Sequence, residues 1–145
     1  MAINEIEPDK RFCPRILIFD KQSDDRFLLT HYLRYCEFEV YEECVAENFI
    51  KKITDIQPHL VVLSESLSPV DGYELCAMLR KQTTLDGIFI ILLLEDDLEY
   101  SQTRAKLAGA NDTVTRPKLS DKSYSYHQIA KFVHTHLLNK PNKSA

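Results

Sequence analysis

Short, wholly apolar runs separated by amphipathic stretches constrain the fold of this chain most strongly. Residues 16–19, 60–63 and 88–94 contain no polar side chain, as expected for strands of a parallel sheet that is covered on both faces. Between these runs, apolar residues recur at helical spacing, as in the series from Phe27 to Cys36. The predicted strands are residues 15–19, 38–41, 60–63, 88–94 and 113–115. Five strands that alternate with five helices predict an α/β fold, a doubly wound five-stranded parallel sheet.

Composition and charge exclude several classes of protein. The chain has 145 residues and a net charge of -4, which fits one soluble domain and gives no basic surface for nucleic acid. Its longest apolar run, residues 88–94, is far shorter than the roughly 20 residues that span a membrane. Because the N-terminus carries acids and no apolar block, it is not a signal peptide, and we predict a cytoplasmic protein with reduced cysteines.

The chain is predicted to contain one folded unit with two extensions. Residues 15–138 hold all the periodic segments and form the predicted domain. Residues 1–14 form an N-terminal extension, and the lysine-containing residues 139–145 are read as a flexible tail.

A doubly wound sheet places its functional crevice beyond the carboxyl ends of its strands. This rule selects five residues that lie at or just after the predicted strand ends. They are Asp20, Lys21, Ser64, Leu94 and Arg116.

Three segments around these positions resemble the receiver domain of response regulators. They are Ile16-Leu-Ile-Phe-Asp20, Pro69-Val-Asp-Gly-Tyr-Glu-Leu75 and Gly109-Ala-Asn-Asp-Thr-Val-Thr-Arg-Pro117. The resemblance covers residues 15–138 and implies the flavodoxin-like (βα)5 arrangement. It also implies a pocket with two acids after strand one, an acceptor aspartate after strand three, a hydroxyl after strand four and a lysine after strand five. In the family, the carboxylates hold the magnesium ion that assists phosphoryl transfer from a histidine kinase.

This chain departs from that pattern at four of the five pocket positions. Asp20 keeps the first acid, but Lys21 replaces the second, and Ser64 replaces the acceptor aspartate. Leu94 replaces the hydroxyl residue and Arg116 the lysine. A further position, Thr113, replaces the switching aromatic residue. Because a serine hydroxyl cannot form an acyl phosphate, the resemblance predicts a receiver scaffold that has lost its reaction.

The charges of the matched residues predict a pocket without metal. Asp20, Lys21 and Arg116 together carry a charge of about +1, whereas magnesium needs several oxygen ligands that are preferably anionic. We therefore predict no metal and no cofactor, with Lys21 in the place of the ion and Asp20 bridging Lys21 and Arg116. Two interpretations of Arg116 remain open: it pairs with Asp20, or it joins Lys21 and Ser64 in binding a small anion.

Catalysis is not predicted for this chain. Ser64 lies at a strand end where its hydroxyl is expected to be accessible, but no nearby general base is evident. Glu65 is expected to point away from Ser64, because neighbouring residues at a strand end face opposite sides. The three glycines are not clustered, so no phosphate-binding loop is predicted either.

The predicted function is a phosphorylation-independent pseudo-receiver that binds another protein in a two-component-type pathway. The partner would be a signalling kinase, a regulator or an output protein, with a homodimer as a further option. The predicted partner surface spans helix four, strand five and helix five, with aromatic and apolar contact residues. It comprises Leu98, Tyr100, Lys118, Leu119, Tyr124 and Tyr126.

Other interpretations remain open at this level. Tyr124 and Tyr126 could instead pack the start of the last helix. A phosphorelay regulator with an atypical acceptor and an anion- or phospho-ligand-sensing module using Lys21 and Arg116 are the alternative functions.

Overall fold

The fold is a five-stranded parallel sheet with helices on both faces, as predicted. The computed structural model describes residues 12–116 and 122–138, with side chains omitted for residues 122–125. The strands are β1 Arg15–Phe19, β2 Glu39–Glu43, β3 Leu60–Ser64, β4 Phe89–Leu94 and β5 Asp112–Thr115. The helices are α1 Ser23–Tyr35, α2 Phe49–Ile56, α3 Gly72–Arg80, α4 Glu99–Ala108 and α5 Lys122–Val133. A 3-10 turn, Thr83–Leu85, precedes β4, and a π-helical turn, His134–Leu138, extends α5.

The strand order is β2-β1-β3-β4-β5, and all neighbouring pairs are parallel. The order reverses between β1 and β3, so the carboxyl ends of these two central strands flank the topological switch point. Asp20 and Ser64 lie at those ends, and Arg116 follows the edge strand β5. The topology therefore brings residues from distant parts of the chain to one edge of the sheet.

The apolar strands divide the interior into two layers. Ile16 and Ile18 face the layer formed with α1 and α5, whereas Leu17 and Phe19 face the layer formed with α2, α3 and α4. Both faces of β1 are thus covered, which explains why its sequence is continuously apolar rather than alternating.

The fourth helix begins later than the sequence pattern suggests. The sequence favours Asp96 or Asp97 as the first residue of the fourth helix, but α4 begins at Glu99. Asp96 Oδ1 accepts hydrogen bonds from the Leu98 amide at 3.1 Å and the Ser101 hydroxyl at 3.3 Å. Asp96 therefore shapes the turn before the helix, a role that short polar side chains often take.

The start of α3 packs closely against the end of β3. The Asp71 carboxylate caps the helix by accepting the Glu74 amide at 2.9 Å. The amide of Gly72 donates to the Glu65 carbonyl at 3.2 Å, and a Cβ at position 72 would overlap the carbonyl oxygen of Ser64. The absence of a side chain at Gly72 thus permits this backbone approach.

Some predicted features fall outside this description. Lys118 and Leu119 lie outside the described residues, as do residues 139–145 and most of the N-terminal extension. In the two described segments, no helix has the length and apolar character needed to cross a membrane.

Candidate functional site

A buried arginine occupies the edge of the sheet where β1, β3, β4 and β5 end. Arg116 directly follows β5, and only 8% of its surface is exposed. Asp20 follows β1, Asp25 lies in the first turn of α1, and Glu95 follows β4. With Ser64 at the end of β3, these five residues form what we name the Arg116 cluster.

The guanidinium group of Arg116 binds both oxygens of Asp20. Its Nη1 lies 3.1 Å from Asp20 Oδ2, and its Nη2 lies 3.1 Å from Asp20 Oδ1. This two-pronged geometry is the arrangement in which arginine binds carboxylates most strongly. The prediction that Arg116 pairs with Asp20 is therefore confirmed in the structure.

Three further oxygens complete the surroundings of Arg116. Nη1 donates to Asp25 Oδ2 at 2.7 Å, Nε to Glu95 Oε2 at 3.2 Å, and Nη2 to Ser64 Oγ at 3.4 Å. An arginine side chain has five N–H donors, and five oxygen atoms are within reach of them here. The guanidinium group is thus fully engaged by the protein itself.

The electrostatics of the cluster favour the charged form of Arg116. Burial alone lowers the pKa of the guanidinium group. Its hydrogen bond and charge interaction with Asp20 outweigh that cost, with help from Glu95 and Asp25, and raise the pKa above its ordinary value. Arg116 therefore acts as a permanent internal cation.

The charge predicted for the pocket is wrong, because Asp25 and Glu95 contact Arg116 whereas the side chain of Lys21 is exposed and does not. Asp20, Asp25 and Glu95 carry three negative charges against one positive charge on Arg116, which leaves about -2 instead of +1. Asp25 and Glu95 had a recognisable signal, since both lie within a few residues of a strand end. They are not among the five pocket positions of the family pattern, so that pattern alone does not identify them.

Lys21 does not take the predicted place of a metal ion. Its side chain is exposed, and no ion pair involving Lys21 occurs among residues 12–116 and 122–138. Asp20 does not bridge Lys21 and Arg116, because both its oxygens face the guanidinium group and Oδ1 also accepts the Gln22 amide at 3.1 Å.

The residues present do not fit the magnesium ion that the resemblance implies. The guanidinium group lies between the carboxylates, so these oxygens are occupied by a cation that the chain supplies. Within the described segments, no group of three histidine, cysteine, aspartate or glutamate residues is arranged to hold a metal ion. Arg116 is therefore the cation with which these carboxylates pair.

Ser64 is inaccessible from solvent, contrary to the prediction. Only 1% of its surface is exposed. Its hydroxyl oxygen accepts the Ser66 amide at 3.2 Å in addition to Arg116 Nη2. Leu94 is likewise buried, as part of the apolar layer under α3 and α4, and Thr113 is half-buried on β5.

Glu65 links α3 to the loop between β4 and α4. Its Oε1 accepts the Tyr73 hydroxyl at 2.6 Å, and its Oε2 accepts the Glu95 amide at 2.7 Å. These contacts direct the carboxylate toward α3 and the loop before α4, in agreement with the predicted direction away from Ser64. Burial, reinforced by the Glu65 hydrogen bond, raises the pKa of Tyr73 to about 12, so the phenol stays protonated and keeps donating.

Contacts around Tyr73 tie α3 to α4. The guanidinium carbon of Arg104 lies 4.0 Å from the centre of the Tyr73 ring, and Arg104 Nη2 lies 3.3 Å from Asp71 Oδ2. Stacking of a cation on an aromatic face stabilises such contacts. The loop that follows β4 is held at Glu95 in two ways. The Glu95 amide donates to Glu65, and the Glu95 carboxylate accepts from Arg116.

The predicted partner surface is only partly exposed. Leu98 is 58% exposed and Tyr100 is 73% exposed, both at the start of α4. Tyr126 is only 7% exposed and its ring lies 6.0 Å from that of Tyr32, so it packs inside and is not a surface contact. The side chain of Tyr124 lies outside the described residues, like Lys118 and Leu119.

Comparisons with known proteins agree with the fold. No protein-family model matches the chain. The alkaline phosphatase synthesis transcriptional regulatory protein PhoP of Bacillus subtilis is 30% identical over 103 residues, which cover 71% of this chain and 42% of that protein. The phosphorylated cyanobacterial phytochrome response regulator RcpA has a TM-score of 0.77 at 16% identity, covering 90% of this chain and 98% of that one. The structural similarity shows that the chain has the flavodoxin-like fold of receiver domains.

A second solved receiver gives the same fold. The chemotaxis response regulator CheY4 of Vibrio cholerae has a TM-score of 0.75 at 16% identity, covering 84% of this chain and 99% of that chain. By contrast, the chain spans less than half the length of PhoP. The similarity to PhoP therefore concerns only part of that protein.

Proposed function

We propose that this receiver domain works without phosphorylation, as a pseudo-receiver that binds another protein in a two-component-type pathway. The observation that carries the proposal is the complete engagement of Arg116 by Asp20, Asp25, Glu95 and Ser64. A working receiver needs an open cation site and a reactive carboxylate at this edge. Here the guanidinium group of Arg116 fills the place of the cation, and the buried hydroxyl of Ser64 replaces the reactive carboxylate.

The chemistry of the cluster opposes phosphoryl transfer in two ways. Ser64 is neutral and buried, and its oxygen already accepts two hydrogen bonds. An incoming phosphoryl group would also meet the net negative charge that Asp20, Asp25 and Glu95 leave after pairing with the single cation of Arg116. Like charges at a site of low dielectric repel strongly, so approach of the anionic group is unfavourable.

The same geometry argues against the anion-sensing alternative. Each N–H of Arg116 faces an oxygen of the protein, so an anion could bind only by displacing a carboxylate. Glu95 is the most exposed of the three, with 35% of its side chain accessible. Displacing it would still leave the net negative charge of the site, and Lys21 does not turn toward the cluster.

The start of α4 supports the proposed binding role. Leu98 and Tyr100 are exposed, and Leu107 is exposed further along the same helix. An adjoining groove of about 360 Å³ runs between α4 and β5 and includes Thr103, Lys106 and Thr113 in its lining. An aromatic and apolar patch with a polar rim is typical of protein interfaces. We propose a signalling protein, or a second copy of this chain, as the partner.

A phosphodonor experiment tests the proposal. The purified protein is incubated with magnesium and either a small-molecule phosphodonor or beryllofluoride, and intact mass and amide NMR spectra are recorded. We expect no gain in mass and no shift at residues 20, 64 and 116. The matched comparison is the combined variant Lys21→Asp, Ser64→Asp, Arg116→Lys, which restores the acidic and lysine positions of the family and is expected to gain a phosphoryl group.

Labelling of the unmodified chain would instead support the alternative of an atypical phosphoacceptor. Peptide mapping of the labelled residue would then identify that acceptor. A positive result for the combined variant shows that the reagents and the fold are adequate, so a negative result for the wild-type chain is informative.

A pair of variants tests the partner surface. The double variant Leu98→Asp, Tyr100→Ala is expected to weaken partner binding at least tenfold, as loss of a central interface residue commonly does. Tyr35→Ala is the control, because Tyr35 is 84% exposed on α1, away from α4. Affinity capture from an extract of the source organism, quantified by mass spectrometry, would measure the loss, and unfolding by urea would check that stability changes little. Binding that depends on Tyr35 and not on α4 would relocate the surface to α1.

A further inference from the structure

His59 binds the start of β1, at the amino ends of the strands. The Arg116 cluster lies at the carboxyl ends. The Arg15 amide donates to His59 Nδ1 at 3.0 Å, and the His59 amide donates to the Arg15 carbonyl at 2.8 Å. The Arg15 side chain adds a bond from Nε to the Gln57 carbonyl at 2.9 Å. The Phe12 ring meets the His59 ring edge-on, with centres 4.6 Å apart.

The bond from the Arg15 amide defines the protonation state of His59. Because Nδ1 accepts a hydrogen bond, it carries no proton, and the neutral ring therefore carries its proton on Nε2. Protonation of Nδ1 would turn the acceptor into a donor that faces another donor. It would also place a positive ring beside the Arg15 guanidinium group.

We propose that His59 is a pH-sensitive clasp that, through the Arg15 amide, holds residues 12–14 against the sheet when neutral and releases them when protonated. These residues border an apolar groove of about 650 Å³ whose lining includes Phe12 and His59, so the release would remove Phe12 from one side of that groove. The other residues of this lining are Pro58, Gly87, Ile88, Phe89, Leu137 and Leu138. The clasp is independent of the Arg116 cluster, so it adds regulation by acidity to a domain that lacks its phosphorylation switch.

The surroundings of His59 set the direction of the response. The charged groups that act on it are Arg15 on β1 and Glu39 on β2, whereas the segment before β4 and the end of α5 contribute apolar residues. Burial lowers the pKa of His59, Arg15 lowers it further, and Glu39 opposes both. The folded-state pKa thus lies below the ordinary value of about 6.5. The stabilisation is complete above about pH 6.5 and is lost as the pH falls through the folded-state pKa.

Amide exchange and histidine NMR on the full chain test the clasp between about pH 7.5 and pH 5. In the wild-type protein, we expect the protection factor of the Arg15 amide to fall by roughly threefold to tenfold on acidification, the loss of one net hydrogen bond. His59→Asn offers a carbonyl oxygen near the position of Nδ1 and does not titrate, so its Arg15 protection should stay constant. His59→Leu has no acceptor and should show low protection at every pH.

Two internal controls separate the clasp from general acid unfolding. The amide of Ile91 in the centre of β4 should keep its protection over the same range, and His127→Asn should behave as the wild-type protein. The proposal would be overturned if the protection of the Arg15 amide depended on pH equally in the wild-type protein and in His59→Asn. Titration of His59 without any response of the Arg15 amide would overturn it as well.

Discussion

Replacing Arg116 with leucine is expected to destabilise the protein by about 3–5 kcal/mol, the cost of breaking a buried ion pair by removing one partner. Asp20 and Asp25 are buried and would lose the guanidinium group that faces them at 3.1 and 2.7 Å. Leucine fills part of the volume but donates no hydrogen bond. Urea unfolding followed by circular dichroism would measure the loss of free energy.

The pH dependence of the stability loss in Arg116→Leu identifies its cause. In Arg116→Leu, protonation of the uncompensated carboxylates removes the repulsion among them, so the difference from the wild-type protein should narrow as the pH falls. A loss caused by packing alone would not change with pH. Arg116→Lys should give an intermediate loss, because an ammonium group has three donors and cannot reach all five oxygens.

Lys51→Ala provides the matched control for ion-pair loss. Lys51 pairs with Asp55 at 2.9 Å on the surface of α2, with 72% and 61% of the two side chains exposed. Exposed pairs of this kind contribute about 0–1 kcal/mol. If Arg116→Leu costs no more than Lys51→Ala, the Arg116 cluster is not the electrostatic centre described above.

The second large effect is expected from Gly72→Ala. A Cβ at this position would overlap the carbonyl oxygen of Ser64 and approach the Ser64 carbonyl carbon to 3.0 Å and Glu65 Cα to 3.1 Å. All three atoms belong to backbone, so no side chain can rotate away. Overpacking of this kind typically costs 1–3 kcal/mol, about the upper end here, and the better helix propensity of alanine recovers at most about 1 kcal/mol.

Gly87→Ala is the natural comparison for this variant. Apart from its two neighbours in the chain, no described residue has an atom within 4 Å of a Cβ at position 87, so stability should change by less than about 0.5 kcal/mol. Both variants add the same methyl group, but only the one at position 72 meets backbone atoms of another segment. Equal stability of the two variants in the same urea experiment would show that α3 does not rest on the end of β3.

The sequence predicts the strands of the sheet well because a strand that is buried on both faces is apolar at every position. Ile16–Phe19, Leu60–Leu63 and Phe89–Leu94 are apolar throughout, and each is a buried strand. Likewise, the Arg116 pairing with Asp20 followed from the meeting of strand ends at one edge. These features depend on topology, which periodicity reveals.

The other contacts of the site could not be predicted, because they depend on the direction in which each side chain points, and periodicity does not reveal that direction. Lys21 follows Asp20 directly, yet it turns to solvent while Asp25, one turn into α1, faces the cluster. Tyr126 resembled a surface aromatic in sequence, but its position on α5 directs the ring to Tyr32. Neighbouring residues at a turn can face opposite directions, so strand-end position alone identifies candidates and not contacts.

The position of Arg116 near the end of the chain has a consequence for folding. Its two buried partners, Asp20 and Asp25, precede it by 96 and 91 residues, so the pair forms only when β5 joins the far edge of the sheet. Contacts between such distant residues carry a large loop-closure cost and form slowly. Until β5 docks, Asp20 after β1 and Asp25 on α1 lack the guanidinium group that pairs with them, so adding the last strand also supplies the cation of the Arg116 cluster.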